Sequence, residues 1–442
     1  MTCEFVLALH ETGRTGLPTE VRAEAVRSLL NVVGTSVGAA RYDTIDIMVA
    51  TARKHGGPGT APVPGRNDRL AAIDSALVTG AAAHIDDFDD THLATVVHAA
   101  ASVFAAALPV ISSQDVPGVR LINALALGIE AQLRVALAMT PWHYDAGWHI
   151  TGTVGALGAA VTVGVLYGLD VDELTNAVAV ASSMSLGHRQ GFGTMVKPFH
   201  PGKAAANGLL AAALARRGFT GSPTALEGPR GYFAVLSPEV DLTRLTDGVG
   251  ERWELLDNTY KPYPCGIVSH PAIEAAERLH SRIGTVPPRA VRVHCHPLVA
   301  ELTGDPTPDS GLAARFSTIH GVAAGLVDGA VGLRQYDDAR VRARDLTVMR
   351  AITTLAADDR IARDAATVEV EFADGTVTAE TVEHARGSLA RRMTDAELDT
   401  KVSSLVEQTL PGHAAPIIDI TRSVGDSDSC ARLISAITPE MP

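Results

Sequence analysis

The stretch KPYPCGIVSHP, residues 261–271, divides the chain into two kinds of sequence. The prolines at 262 and 264 lack an amide hydrogen and fix their own φ, so no helix continues through them and a crossover between domains is predicted here. Upstream, the sequence reads as almost continuous helix to about residue 235. In VRAEAVRSLLNVVG, Val21, Ala25, Leu29 and Val32 recur at helical spacing. AAIDSALVTGAAA, VHAAASVFAAAL, INALALGIEAQLRVAL, ELTNAVAVASSM and KAAANGLLAAALARRG predict further helices, and 4% aromatics implies close packing through small residues. Downstream, AVRVHCHP (290–297) alternates as a strand does, and TVEVEFADGTVTAETV (367–382) predicts a hairpin turning at Asp374 and Gly375. AAGLVDGAVG between them is helical, and TDAE at Thr394 is a capping box that opens a last helix. The expected fold is mainly α. It has a large helical domain over 1–265, a smaller α/β domain over 266–390, and a helical return of 391–442 to the first domain.

A chain of 442 residues, 46% of them hydrophobic, can bury a large core. The net charge of -13 argues against nucleic acid and against anionic membrane surfaces, both of which are bound through an excess of Lys and Arg. Four scattered cysteines without CxxC spacing predict neither a disulfide framework nor a cysteine metal site. MTCEFVLALHETG has the wrong charge and too short an apolar run for a signal peptide, so a cytoplasmic protein is expected. The uncharged run Ile150–Leu169 is long enough to span a bilayer. Its five glycines and the lack of a basic flank favour a helix buried on all sides instead.

One window departs from the acidic average: from Leu174 to Leu226 there is no Asp or Glu, while Arg189, Lys197, Lys203, Arg216 and Arg217 all occur. Its centre, GFGTMVKPFHPGKAAANG, predicts a turn around Lys197 and His200 and a helix beginning after Lys203. Backbone amides at a helix start, with a Lys and a His beside them, suit a carboxylate or phosphate. Three further clusters carry chemistry. HIDDFDDTHLATVVH brings together His84, Asp86, Asp87, Asp89, Asp90, Thr91, His92 and His98. Its spacing matches neither an EF-hand loop nor a zincin helix, which leaves metal binding, helix capping and acid/base work as the open readings. GWHITGTVG carries His149, and the glycine spacing of GTVGALG is not that of a dinucleotide fingerprint, so no nicotinamide site is expected. In KPYPCGIVSHP, Lys261, Cys265 and His270 stand on the presumed hinge, where a Cys/His nucleophilic pair would lack an orienting third residue.

FDDTHLATVVH, GWHITGTVG, KPFHPGKAAANG and KPYPCGIVSHP, in this order and spacing, resemble the MmgE/PrpD family, which includes 2-methylcitrate dehydratase, cis-aconitate decarboxylase and iminodisuccinate epimerase. The resemblance runs from the first helix through FSTIHGVAAGLVDGAVG to the TDAELDTKV helix. It implies a helical domain with an α/β lid domain, a homodimer, and no metal or organic cofactor. The family's active-site positions fall on Asp87, Thr91, His98, His149, Lys197 and His270. The chain departs from the decarboxylase branch in one added residue between Thr91 and His98 and in Cys265 and Gly266 at the hinge.

Reactions of this family pass through carbanion character beside a carboxylate. They need cations for the carboxylates, a base at the α-carbon and a proton donor. The resemblance therefore assigns Lys197 to carboxylate binding and enolate stabilisation, with His200 and Lys203 as helpers and Lys261 and His270 as further substrate-binding residues. His98 and His149 become proton-transfer groups, Asp87 orients a histidine or a substrate hydroxyl, and Thr91 bonds a carboxylate. The expected activity is that of a cofactor-independent lyase on a small di- or tricarboxylate, in the manner of a 2-methylcitrate dehydratase. Epimerisation of a substituted succinate such as iminodisuccinate, or decarboxylation of cis-aconitate, is the alternative, and a non-catalytic binding protein and a metallohydrolase using the Asp/His cluster are the remaining ones.

Overall fold

The computed structural model describes residues 1–284 and 286–438. The expected helices are present: Thr19–Gly38, Ala72–His84, Ala99–Ser113, Gly118–Met139, Ile150–Tyr167, Val171–Ser182 and Val196–Ala215 pack around one continuous apolar core. Gly118–Met139 and Ile150–Tyr167 are long and apolar enough to cross a membrane, yet 89% of each apolar window is buried inside the protein, so both are core helices. Small residues set how closely helices approach. A Cβ at Gly80 would lie 2.7 Å from the Cα of Gly202, and this bare crossing lets Ala72–His84 lie directly against Val196–Ala215. It is also what brings His84, at the end of one helix, to Lys197, at the start of the other.

The second body holds a four-stranded sheet in the order Thr353–Ala357, Ala290–Cys295, Ala366–Glu371, Val377–Val382, with the first pair parallel and the others antiparallel. Val291, Val293, Cys295, Val368 and Val370 point to a separate core, closed by the helices His270–Ile283 and Thr318–Asp328. The hairpin turns where Asp374 and Gly375 predict it, with Gly375 at φ 84° and Asp374 Oδ1 accepting from the Thr376 amide. Thr394 and Glu397 form the predicted capping box. The helix they open, Asp395–Thr409, packs on Thr19–Gly38 of the helical body, and Arg27 donates to the Met393 carbonyl beside it.

The region around Lys197 requires a correction. The helix does not begin after Lys203 but at Val196, and it runs through both prolines. Pro198 occupies the first turn, where amide hydrogens have no partner within the helix in any case. Pro201 forfeits only the bond to the Lys197 carbonyl. A second, two-stranded sheet joins Asp90–His92 to Asn258–Tyr260 in antiparallel register, so the acidic motif and the segment entering the hinge are laced together.

Candidate active site

Three helices begin at one small cavity. His98 is the N-cap of Ala99–Ser113, His149 the N-cap of Ile150–Tyr167, and Lys197 the second residue of Val196–Ala215. All three line the cavity with Asp87, Thr91, Tyr144 and Lys261. Each helix start carries roughly half a positive charge, which favours an anion at the site, although at Ala99–Ser113 the Asp90 carboxylate already takes one of the amides. The lining also has an apolar part, made by Ile267, Val268 and Leu302 together with Gly266 and Thr303.

The four carboxylates of the acidic motif divide into four tasks. Asp86 binds Arg315, whose Nη1 also donates to the Asp86 and Pro264 carbonyls. Asp87 accepts from Lys197 Nζ at 2.7 Å and lies 2.9 Å from Lys261 Nζ, which also donates to the Asp87 carbonyl at 3.0 Å. Asp89 accepts from His84 Nδ1 at 2.7 Å. Asp90 takes the Ala100 amide and, at 2.6 Å, the Asn258 side chain, and so caps a helix from outside it. Asp87 sits at φ 48° and Val96, which also lines the cavity, at φ 55°. Left-handed backbone at a β-branched residue and at an aspartate is strained, and the surrounding bonds hold it.

Burial would raise the Asp87 pKa, but the ammonium groups of Lys197 and Lys261 outweigh it and hold the carboxyl well below the usual range. Asp89 is also held low against its burial, in its case by contact with His84 and His98, and the hydrogen bond from His84 Nδ1 acts even from a neutral ring. Burial lowers the histidines: His84 to about 3, His98 below its ordinary value, and His149 well below, with the Lys197 charge adding to the last. The imidazoles are therefore neutral near pH 7. The burial that disfavours a charged amine also lowers the Lys197 pKa, although Asp87 opposes it.

Hydrogen positions follow from the partners. His98 Nδ1 donates to the Asp90 carbonyl at 2.9 Å, which leaves Nε2 as an acceptor 3.7 Å from Asp87 Oδ1. Asp89 Oδ1 lies 3.1 Å from the same Nδ1 but without hydrogen-bond geometry. His149 Nδ1 and His200 Nδ1 are 2.8 Å apart, so one of them carries the hydrogen between them.

Of the residues singled out in the sequence, Asp87, Thr91, His98, His149, Lys197 and Lys261 meet at the cavity. His200 stands behind His149. His270 is buried with Nε2 3.3 Å from the Cys265 carbonyl and does not line the cavity. Lys203 lies six residues along the helix from Lys197, a rotation that turns it to another face, and it is not among the lining residues. Cys265 is not a poised nucleophile: burial pushes its thiol up to about 12, and His270 addresses its carbonyl. Sequence reasoning missed the two rings over Lys197. Phe192 and Phe316, from different parts of the chain, have centroids 5.4 Å apart, and Lys197 Nζ lies 5.5 and 5.3 Å from them. Nearby, Arg189 reaches Glu301 at 3.0 Å. The cavity that Phe192 and Phe316 help to line is about 50 Å³, below the ~300 Å³ that small-molecule pockets commonly exceed.

His84, Asp87, Asp89 and His98 place one ligand atom each within 4.8 Å of the others, as a metal site would. The Lys197 ammonium is already among them, donating to His84 Nε2 at 2.9 Å and to Asp87. A metal bound by these four residues would have to displace that ammonium from His84 and Asp87.

A model of the MmgE/PrpD N-terminal domain matches residues 4–245, and one of the MmgE/PrpD C-terminal domain matches residues 263–426. The chain is similar to cis-aconitate decarboxylase of Aspergillus terreus, 27% identical over 403 residues, covering 84% of this chain and 82% of that one. The cis-aconitate decarboxylases of Mus musculus and Homo sapiens are each 27% identical, over 77% of this chain and 72% and 73% of theirs.

Proposed function

The chain belongs to the MmgE/PrpD family, and from that premise we propose that it is a lyase of small polycarboxylates that releases carbon dioxide from a cis-aconitate-like acid. The observation that carries this reading is the pair of buried ammonium groups, Lys197 and Lys261, sharing Asp87 at the point where three helices begin. Substrate carboxylates enter against the lysines and the helix amides. Cleavage of the carbon–carbon bond to one carboxylate leaves its electron pair on carbon, delocalised through the double bond into a neighbouring carboxylate, where Lys197 stabilises the charge. A proton then adds to carbon, so each turnover consumes one proton and yields carbon dioxide and a methylene dicarboxylate. The Lys197 ammonium, its pKa lowered by burial, is the donor suited to that step, and it regains its proton from solvent before the next turnover. Neutral imidazoles at 98 and 149 are acceptors rather than acids. Likeness to cis-aconitate decarboxylases over more than three quarters of the chain supports loss of carbon dioxide over dehydration.

Dehydration of a citrate-like hydroxy acid is the second reading. It is favoured by Asp87 and Thr91 in the lining of the cavity, an ionised carboxylate and a hydroxyl able to orient a substrate hydroxyl. Proton NMR in heavy water on cis-aconitate, citrate, 2-methylcitrate and substituted succinates separates the cases. Methylene dicarboxylate with carbon dioxide is the expected result. An alkene formed with loss of water alone replaces it with a hydro-lyase, deuterium uptake with inversion replaces it with an epimerase, and no turnover on the panel overturns the lyase reading.

A further inference from the structure

Lys401 lies in the Asp395–Thr409 helix, outside the cavity, with its ammonium buried. Its Nζ donates to Asn31 Oδ1 at 2.8 Å, to the Phe88 carbonyl at 2.6 Å and to the Lys261 carbonyl at 2.9 Å. Those three bonds use all three of its hydrogens, and no carboxylate takes one. The Phe88 ring lies 4.0 Å from the same nitrogen. The two carbonyls are informative. Phe88 directly follows Asp87, the aspartate held at positive φ, and Lys261 is the residue whose own Nζ bonds Asp87. Asp87, the Lys261 side chain, the Lys261 carbonyl, Lys401 and the Phe88 carbonyl therefore form a closed ring of contacts.

We propose that Lys401 is a positioning residue, whose fully protonated amine pins the strained Asp87 turn to the hinge strand and so sets the geometry between Asp87 and Lys261. The inference concerns the same site as the lyase reading and rests on it only where turnover is measured. A neutral amine has two hydrogens and must release one of the three acceptors, so the ring loosens when Lys401 loses its proton. The titratable groups facing it are Asp89 and Asp90 of the acidic motif, Lys261 of the hinge and, on the helix after the hinge, His270, which burial keeps neutral, while Asn31 on the neighbouring helix does not ionise. Burial brings its pKa down to about 7, with Asp89 opposing. Turnover should accordingly fall as pH rises through about 7.

The test uses the whole protein and two variants. Asn31→Asp puts a carboxylate against the ammonium and exchanges an amide nitrogen that has no hydrogen-bond partner. Lys401→Met removes the ammonium. Only five lysines occur in the chain, at 54, 197, 203, 261 and 401, so lysine labelled with carbon-13 at Cε gives a readable spectrum. The expected result is a signal, absent in Lys401→Met, that titrates near 7 in the unmodified protein and at higher pH in Asn31→Asp, with the Lys261 signal following it and the fall in kcat moving by the same amount. In Lys401→Met, kcat drops on the order of a hundredfold and loses that limb, as for a misplacement of about an ångström. A kcat limb that stays in place in Asn31→Asp while the lysine signal moves overturns the proposal, as does Lys401→Met turnover within twofold of normal. If Lys401→Met does not fold, Asn31→Asp decides alone. If no polycarboxylate is turned over, the NMR arm still decides: a Lys261 signal indifferent to the Lys401 titration refutes the brace without reference to the reaction.

Discussion

Lys197 Nζ stands between Asp87 Oδ1, at 2.7 Å, and His84 Nε2, at 2.9 Å, although these partners come from positions 110 and 113 residues away. The ammonium is thus both the counter-ion of a buried carboxylate and the terminus of a His84–Asp89 pair.

Replacing Lys197 by Ala should lower turnover by about a hundredfold or more, the loss typical of a single charge-stabilising donor. Asp87 keeps Lys261 as a partner, so the variant should still fold. Steady-state kinetics alongside a thermal melt tests this. Near-normal kcat in a folded Lys197→Ala protein would remove the residue from the mechanism.

The same ammonium governs the response to metals. With Lys197 among His84, Asp87, Asp89 and His98, a chelator should leave activity unchanged, whereas Lys197→Ala should acquire affinity for cobalt(II), visible as a d–d absorption band. Activity abolished by a chelator and restored by one divalent ion contradicts this.

Stability should fall on acidification below about pH 6.5. Burial lowers His84 and His270 to about 3 and His200 and His320 to about 4. Between 6.5 and those values the unfolded chain binds protons that the folded chain refuses, so these four groups favour unfolding as pH drops, opposed only in part by Asp90, which burial raises to about 7. Differential scanning calorimetry from pH 7 to 4.5 measures it, and His270→Gln should flatten the slope. A Tm that is level over this range would show that the histidines are not buried as neutral imidazoles.

Gly266 faces Thr303 in the apolar part of the lining, where a Cβ would come 2.7 Å from Thr303 Cγ2. Thr303 cannot easily turn away, since its hydroxyl is bonded to the Val299 carbonyl and to Thr318. Gly266→Ala should narrow the cavity, costing about 1–3 kcal/mol of stability and raising KM more than it lowers kcat. An unchanged KM would place substrate elsewhere.

Much of this architecture is legible in sequence because its signals are local. The Asp374–Gly375 turn and the Thr394 capping box depend on neighbours within four residues, and both are found as read. The helix start at Val196 is not, because Pro198 and Pro201 read as breakers, and only their position in the first two turns makes them harmless. Among site residues, those whose chemistry is their side-chain type stand out, as His98, His149 and Lys197 do. Arg315 and Lys401 act on backbone carbonyls 229 and 313 residues away, and no periodicity encodes such a bond. Scarcity was the available sign. Five lysines among 37 basic residues means that arginine serves the surface, and three of the five are buried around Asp87.

The three helix starts at the cavity have a consequence of their own. Peptide dipoles have no proton to lose within the range where proteins remain folded, and no modifying enzyme can neutralise them. Capture of an anion and its chemical conversion should therefore have different acid–base fingerprints: occupancy should persist in part across pH values at which the amines fall silent. An inhibitor shaped like the product should lose affinity more gradually as pH rises than the enzyme loses turnover.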